Sequence, residues 1–339
     1  MVSKLRIAMI SPWNVRCGIY SYSRDLINAL AELDNEIYVI RFPRFGGKNE
    51  AIMENLSNRF PDDEIDIIHM QHEYGLTQLF DESLYMGLMR LDKPIVTTSH
   101  SVGDFKRDSL IFNSSDKVIV HNKFCKRIFG YDPTIIPHGC KSVEPLSREE
   151  AKERLGIDPR VKVVGYCGYI SETKGLESLI SAMVGIKNAG LMIGGGWFAG
   201  PDTGYIARLK QKSKELLGDR CKWVGYVDEN ELNRFYSAMD VFCYCSRYAT
   251  ESGALLMGLG HHKATIASNI GPFKEKKAEG ALTTFTHVKN LRDKIRRLFK
   301  NDDEREALEE GARQYVESNS WKNVAKMHVE LYEEALDSK

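Results

Sequence analysis

The stretch SRYATESGALLMGLG, residues 246–260, places Arg247 and Glu251 at the entrance to a helix, directly after the apolar run Asp240 to Cys245. A cation and a carboxylate at that point suit a ligand carrying phosphates and hydroxyls, because the free N–H groups of a helix start already favour an anion. A second cation, Lys174, stands with Gly175 just ahead of Leu176, Leu179, Ile180 and Met183, which recur at helical spacing. Lysine at a helix start opposes the helix dipole unless the two share an anion, so the pair suits a diphosphate that gains charge as it leaves. In the first half, Gly18 precedes the helix face Ile19, Tyr22, Leu26, Ile27, Leu30 and Leu33, and is expected to let the backbone approach a ligand closely or take a positive φ. IDIIHMQHEYGL puts His69 inside a strand and His72, Glu73 and Tyr74 after its end. PIVTTSHSVGD delivers His100 to the same rim. Two imidazoles beside a carboxylate suit hydrogen bonding to a sugar or phosphate. For zinc, the third ligand is missing and HxxH on a strand lacks the register of a helical HExxH site. Neither GxGxxG nor GxxxxGK[ST] occurs, which weakens nicotinamide and kinase readings.

The elements that must hold these residues follow a βαβ rhythm. LRIAMI, EIYVI, IDIIHM, PIVTT, KVIVH and TIIP read as strands in the first part. VKVVGYCG, LMIGGG, CKWVGY, DVFCYC and KATIAS read as strands in the second, after a charged, proline-containing stretch from Cys140 to Pro159. A chain of 339 residues exceeds what one core usually organises. Two doubly wound α/β domains facing across a cleft are expected: residues 1–143 plus 322–339, and residues 144–321. The closing stretch sets Trp321, Val324, Met327, His328, Leu331 and Ala335 on one face of a terminal helix. Lys plus Arg and Asp plus Glu number 47 each, so no overall field recruits nucleic acid or an anionic membrane. Seven cysteines with no CxxC pair suit a reducing cytoplasm. The opening apolar stretch is too short for a signal sequence and no run approaches membrane-spanning length, so a soluble protein is expected. The Gly194–Gly196 run reads as turn chemistry or as a passage near a nucleotide, His261–His262 as exposed and structural, and Lys123, Lys126 and Arg127 as a solvated helix face.

Motifs in order resemble the retaining glycosyltransferases of the GT-B fold, in the family numbered four (group 1). CGIYSY is similar to that family's first Gly-rich loop, QHEYG to the turn after its third strand, and TSH to its Thr-x-His turn. IPHG, GYISETKG, VGYVDENELNRFYSAMDVF, TESGALLMGLGHHKATIAS and the terminal SW helix continue the likeness nearly end to end. It departs at three positions: Ala249 and Met257 stand where members often carry two glutamates, and Tyr169 where the lysine loop usually has Arg. SRYATESG is similar to a YR-x-A-T-x-S-G variant of the acidic loop.

The resemblance implies transfer of a sugar from a GDP- or UDP-sugar to an acceptor hydroxyl with retention and without a metal. Lys174, Arg247, Glu251 and His100 would form the catalytic set, Arg247 facing the diphosphate, Glu251 accepting from a sugar hydroxyl and His100 orienting the sugar or moving protons. Gly18, Gly168, Tyr169, Thr173, Gly175, Tyr226, Val227, Thr250, Ser252 and Gly253 would surround the donor, and Ile19, Tyr20, His72, Glu73 and Tyr74 the acceptor, whether glycan, lipid or small molecule. No cofactor or nucleic acid is implied; peripheral membrane contact is compatible. The lost acids keep open a non-catalytic partner that binds nucleotide or glycan, and the scaffold a nucleotide-sugar epimerase; a phosphorylase would need a cofactor lysine site that is not found.

Overall fold

A computed structural model describes residues 4–15, 17–41, 65–77, 81–197 and 204–338. The chain divides into two compact units, Met1–Gly139 with Asn319–Lys339, and Cys140–Ser318. The divisions fall a few residues before those expected at 143/144 and 321/322.

The first unit is built on β1 (Arg6–Ser11), β2 (Glu36–Arg41), β3 (Ile67–His72), β4 (Ile95–Ser99), β5 (Lys117–Val120) and β6 (Thr134–Ile135), with α1 (Gly18–Ala31), α2 (Tyr74–Thr77), α3 (Asp81–Met89), α4 (Phe105–Asn113) and α5 (Lys123–Phe129). Every strand pairing is parallel, in the order β2-β1-β3-β4-β5-β6. Such a sheet must be covered on both faces, which is why β3 is buried along its length instead of alternating. Within β1 the side chains divide by parity: Ile7 and Met9 join a cluster with Tyr22, Leu26 and Leu30, while Ala8 and Ile10 join one with Ile68, Met70, Leu84 and Phe129.

The second unit carries β7 (Lys162–Cys167), β8 (Ala189–Gly194), β9 (Cys221–Gly225), β10 (Val241–Tyr244), β11 (Thr265–Ser268) and β12 (Thr283–Phe285). Around them lie α6 (Arg148–Arg154), α7 (Leu176–Val184), α8 (Tyr205–Leu217), α9 (Glu229–Ser237), α10 (Gly253–Gly260), α11 (Gly271–Ala278), α12 (Val288–Lys300) and α13 (Asp302–Ser318). The order β12-β11-β10-β7-β8-β9 is again parallel throughout. Both units are thus doubly wound α/β, as the strand rhythm implied. β12 escaped sequence reading because three residues, TTF, carry no periodicity. Among the described residues one apolar cluster runs through this unit from Cys140 to Val316.

The last helix, α14 (Trp321–Asp337), returns to the first unit, where Val324, Ala325, Leu331, Tyr332 and Ala335 complete the cluster around Leu5, Ile7 and Leu26. Met327, expected on that face, is 38% exposed. His328 is buried, its Nδ1 bonded to the Val324 carbonyl at 2.8 Å. His261 and His262, expected to be exposed, are both buried. His261 stacks on Tyr236 at 4.4 Å and bonds the Met257 carbonyl at 2.7 Å, while His262 reaches Ser142 Oγ at 2.9 Å. Burial pushes the His261 pKa down to about 4.

Among the described residues, Lys152 and Asp240 form one of two ion pairs buried inside the second unit, the other being Lys276 with Glu251. Lys152 Nζ lies 2.9 Å from Asp240 Oδ2, which also accepts the Val163 N–H at 2.8 Å. Burial alone would raise the Asp240 carboxyl, but Lys152 and the amide bring it below its ordinary value. The stability it contributes is therefore present above about pH 4 and lost as pH falls through the lower folded value. Lys152→Met leaves this carboxylate buried with the more distant Lys162, at 3.4 Å, and the charge of Lys263 to compensate it. The expected cost is about 3–5 kcal/mol in urea unfolding at pH 7, and a loss within error of zero would contradict the assignment.

Candidate functional site

In an open parallel sheet, ligands bind beyond the carboxyl ends of the strands where the strand order reverses. In the second unit this lies between β7 and β10, so topology alone brings the Lys174 loop and the Arg247 loop together. The Arg247 N–H donates to the Thr173 carbonyl at 2.7 Å. Gly175 has φ +61°, and a Cβ there would lie 2.4 Å from the Cys245 carbonyl oxygen, so no other residue fits this contact. Gly168, at φ +149°, likewise lies against the first turn of α10, where a Cβ would come within 3.1 Å of Ala254 Cβ. Its N–H donates to the Gly194 carbonyl at 3.1 Å, and the Gly195 N–H to the Gly225 carbonyl at 2.6 Å. The turns after β7, β8 and β9 are thereby tied into one rim.

Lys174 closes a short 3-10 turn, Glu172–Lys174, and its Nζ lies 5.8 Å over the Tyr244 ring. Among the described residues it forms no ion pair. Tyr244 Oη accepts from Ser252 Oγ at 2.8 Å, and Ser252 caps α10 by accepting the Leu255 N–H at 3.3 Å. The N–H groups of Gly253 and Ala254 remain as orphan donors of the helix start among the described residues. Ser252 is spent in capping, so the two amides of the helix start and Lys174 on the neighbouring turn are the donors this rim offers. Arg247 shares the loop contact but directs its guanidinium to Glu177, Nη2 to Oε2 at 3.3 Å, with a side chain 61% exposed. A pair so open to water holds the guanidinium weakly.

Glu251 differs from expectation. Its carboxylate is buried, bonded to Lys276 Nζ at 2.7 Å and to the Ser252 N–H at 2.8 Å, so it is not free to accept from a sugar hydroxyl. Thr173 Oγ1 bonds Ser171 Oγ at 2.8 Å, and the Tyr169 carbonyl accepts from Tyr166 at 2.8 Å. Thr250 is half-buried on the same loop as Arg247. Tyr226 is 54% exposed beyond β9, whereas Val227 is buried against Gly194. Of the positions that lack the expected acids, Ala249 is buried and Met257 is 40% exposed on α10.

In the first unit the order reverses between β1 and β3. Gly18 is the first residue of α1, with open space where a Cβ would stand and no positive φ, so only the expectation of close approach survives. Cys17 caps α1 without a side-chain bond and no acid occupies its first turn, which leaves the helix start suited to an anion. Ile19 and Tyr20 are half-buried, Tyr20 meeting Trp13 edge-on at 5.2 Å. His72 does not follow the strand. It ends β3 and is fully buried, so it offers no surface to an acceptor. Glu73 accepts from Ser101 Oγ at 2.9 Å and the Gly75 N–H at 2.8 Å. Tyr74 donates to Asp108, and burial with that carboxylate raises its phenol above the ordinary value.

His100 is also committed internally. Nε2 meets Gln71 Oε1 at 2.9 Å and Nδ1 meets His121 Nε2 at 3.3 Å, so neither nitrogen points to a ligand. Gln71 continues to His69 at 3.1 Å, and His69 to Tyr332 at 2.6 Å. Tyr22 packs edge-on against His100 and His138 at 4.8 and 4.9 Å. Sequence reasoning missed Gln71, His121 and His138. The last two stand in KVIVH and IPHG, where further imidazoles at strand ends were the available signal.

Two doubly wound parallel sheets, each with its glycine-rich turns gathered at a strand-order reversal, are the architecture of the GT-B glycosyltransferases. Solved structures agree on the fold. A sucrose-phosphate synthase from Thermosynechococcus elongatus superposes with a TM-score of 0.80 at 19% identity, covering 99% of this chain and 100% of that one. Anabaena HepE in complex with UDP and glucose gives 0.78 at 15% identity over 97% and 99%. Residues 147–315, just under half of the chain, match the model of the family described as glycosyl transferases group 1. Among curated relatives, the lipopolysaccharide core biosynthesis mannosyltransferase LpsB of Rhizobium meliloti is 26% identical over 63% of this chain and 62% of its own length. A D-inositol 3-phosphate glycosyltransferase of Corynebacterium urealyticum is 29% identical over 54% and 46%. The chain thus spans about half to two thirds of the length of these relatives.

Burial, then the neighbouring imidazoles, hold His69 and His100 well below the ordinary histidine value. Both rings are expected to stay neutral from pH 8 to pH 6, with ring resonances that do not move in an NMR titration. In the unfolded chain they bind protons below about pH 6.5, so stability falls as pH drops from there. A ring of either residue titrating near 6.5 in the folded protein would contradict the buried network.

Proposed function

We propose that this chain moves a sugar from a nucleoside-diphosphate sugar, with GDP or UDP as the carrier, to an acceptor hydroxyl, with retention and without a divalent ion. The observation that carries the reading is the β7/β10 reversal, where the Lys174 turn meets the loop that leads into the Gly253 and Ala254 amides. The names of the relatives, a mannosyltransferase and an inositol-phosphate glycosyltransferase, and the UDP bound to HepE support a donor of this class.

The bond between the anomeric carbon and the phosphate oxygen breaks, a bond from that carbon to the acceptor oxygen forms on the same face, and the acceptor's proton passes to the departing phosphate. The site's task is to stabilise the charge that accumulates on that phosphate. Lys174 and the α10 amides do so as fixed groups. Arg247 joins by leaving Glu177, which costs little for an exposed pair. Gly168, Tyr169, Thr173, Gly175, Thr250 and Gly253 line the loops around this reversal, and Tyr226 and Val227 flank the base. In the first unit, Gly18, Ile19, Tyr20 and Glu73 remain the acceptor-side candidates. His100 holds that rim together and moves no proton, since both of its nitrogens are engaged. Acceptors of the glycan, lipid or small-molecule classes all suit this chemistry. Among the described residues no helix is long and apolar enough to cross a membrane. All seven cysteines are free thiols, which supports a cytoplasmic placement.

Ala249 and Met257, in place of acids, favour a second reading as a nucleotide- or glycan-binding partner without turnover. Incubation with a panel of GDP- and UDP-sugars, with and without chelator, separates the two. Nucleoside diphosphate release that survives chelation supports the transferase, while tight binding with no release for any acceptor supports the partner. Lys174→Ala is expected to lower turnover by about 10² to 10³-fold with an unchanged melting temperature. Arg247→Ala should raise KM for the donor more than Lys174→Ala does, because its guanidinium must first be recruited. Equal losses of stability and activity in either variant would count against both assignments.

A further inference from the structure

The Glu251–Lys276 pair is almost sealed from solvent, the two side chains being 6% and 3% exposed. Burial alone would lower the Lys276 ammonium, but the carboxylate more than offsets this and keeps it charged. Its Nζ also lies 5.7 Å over the Tyr315 ring, and burial pushes the Cys140 thiol up to about 12, with Glu251 adding to the rise and Lys276 opposing it. An enclosed Glu–Lys pair contributes little stability beyond what two apolar side chains of similar volume would give. What it does provide is direction. Glu251 Oε1 accepts the Ser252 N–H at 2.8 Å, while Ser252 Oγ is fixed between the Tyr244 hydroxyl and the Leu255 N–H. Every polar group of the cap residue is thus held by a side chain or by the helix that it caps, the carbonyl receiving the Leu256 N–H at 3.0 Å.

We infer that Glu251 and Lys276 are positioning residues for the candidate donor site: the carboxylate, anchored by the ammonium, occupies the Ser252 amide and so sets the angle at which the Gly253 and Ala254 amides meet a diphosphate. This rests on the donor-site reading above. In that role Glu251 never touches the ligand, and a free carboxylate at the same place would repel it.

Binding of UDP and of GDP alone, measured by calorimetry, tests the inference with two double variants. Glu251→Leu with Lys276→Met keeps the site apolar and packed but removes the acceptor for Ser252. Glu251→Gln with Lys276→Met restores an oxygen acceptor without charge. The first is expected to weaken binding about tenfold with a melting temperature close to that of the parent, and the second to recover most of that loss. Equal affinity in parent and both variants overturns the inference. A parent that binds neither nucleotide overturns the donor-site reading instead. Amide hydrogen exchange on the unaltered protein gives an independent readout. UDP should slow exchange at Gly253 and Ala254 and leave Ser252 unchanged; new protection at Ser252 would overturn the positioning role.

Discussion

Residue 175 can have no side chain, and much of the second unit's chemistry depends on that. A Cβ at this position would stand 2.4 Å from the carbonyl oxygen of Cys245, in a backbone region that L-residues rarely adopt. With hydrogen there, the turn after β7 presses on the turn after β10, Thr173 receives the Arg247 amide, and Lys174 is delivered over Tyr244 beside the start of α10. The strand order makes this meeting geometrically natural. The missing methyl makes it sterically allowed.

Around this contact the two least exposed acids are already occupied, while Glu172 keeps a loose pair with Arg208 at 3.8 Å. Glu177 receives Arg247 and the Tyr205 hydroxyl, and Glu251 receives Lys276 and an amide. In the first unit, Glu73 is held by Ser101 and Gly75. An uncommitted carboxylate near a diphosphate would oppose it at any effective dielectric. Lys174, by contrast, has no counterion among the described residues. The arrangement keeps negative charge internally satisfied and leaves positive charge to a ligand.

The parts of this arrangement that depend on local pattern were legible in the sequence. Eleven of the twelve strands among the described residues stood out as β-rich runs, and the Lys174 and Arg247 turns could be placed on one rim because parallel strands share a carboxyl edge. The fate of Glu251 was not legible. Its partner lies on another helix, 25 residues on, and only packing shows that a lysine in KEKKA points inward. His72 and His261 were misplaced for a related reason. An imidazole reads as polar, yet it can be buried wherever a carbonyl or an aromatic ring accommodates it, as Met257 and Tyr236 do for His261. His100 was correctly drawn to the strand-end rim, but its neighbours Gln71 and His121 come from other strands and take up both of its nitrogens.

The second unit is an insertion: its 140–318 segment separates the bulk of the first unit from the helix that completes it. Leu5, Ile7 and Leu26 leave the ribosome about three hundred residues before Val324, Leu331, Tyr332 and Ala335, which cover them. During synthesis the inserted unit therefore has all of its own chain available before its host does, reversing the usual N-terminal-first order. Until that helix emerges, the nascent host has one apolar face of its sheet only partly covered, by α1.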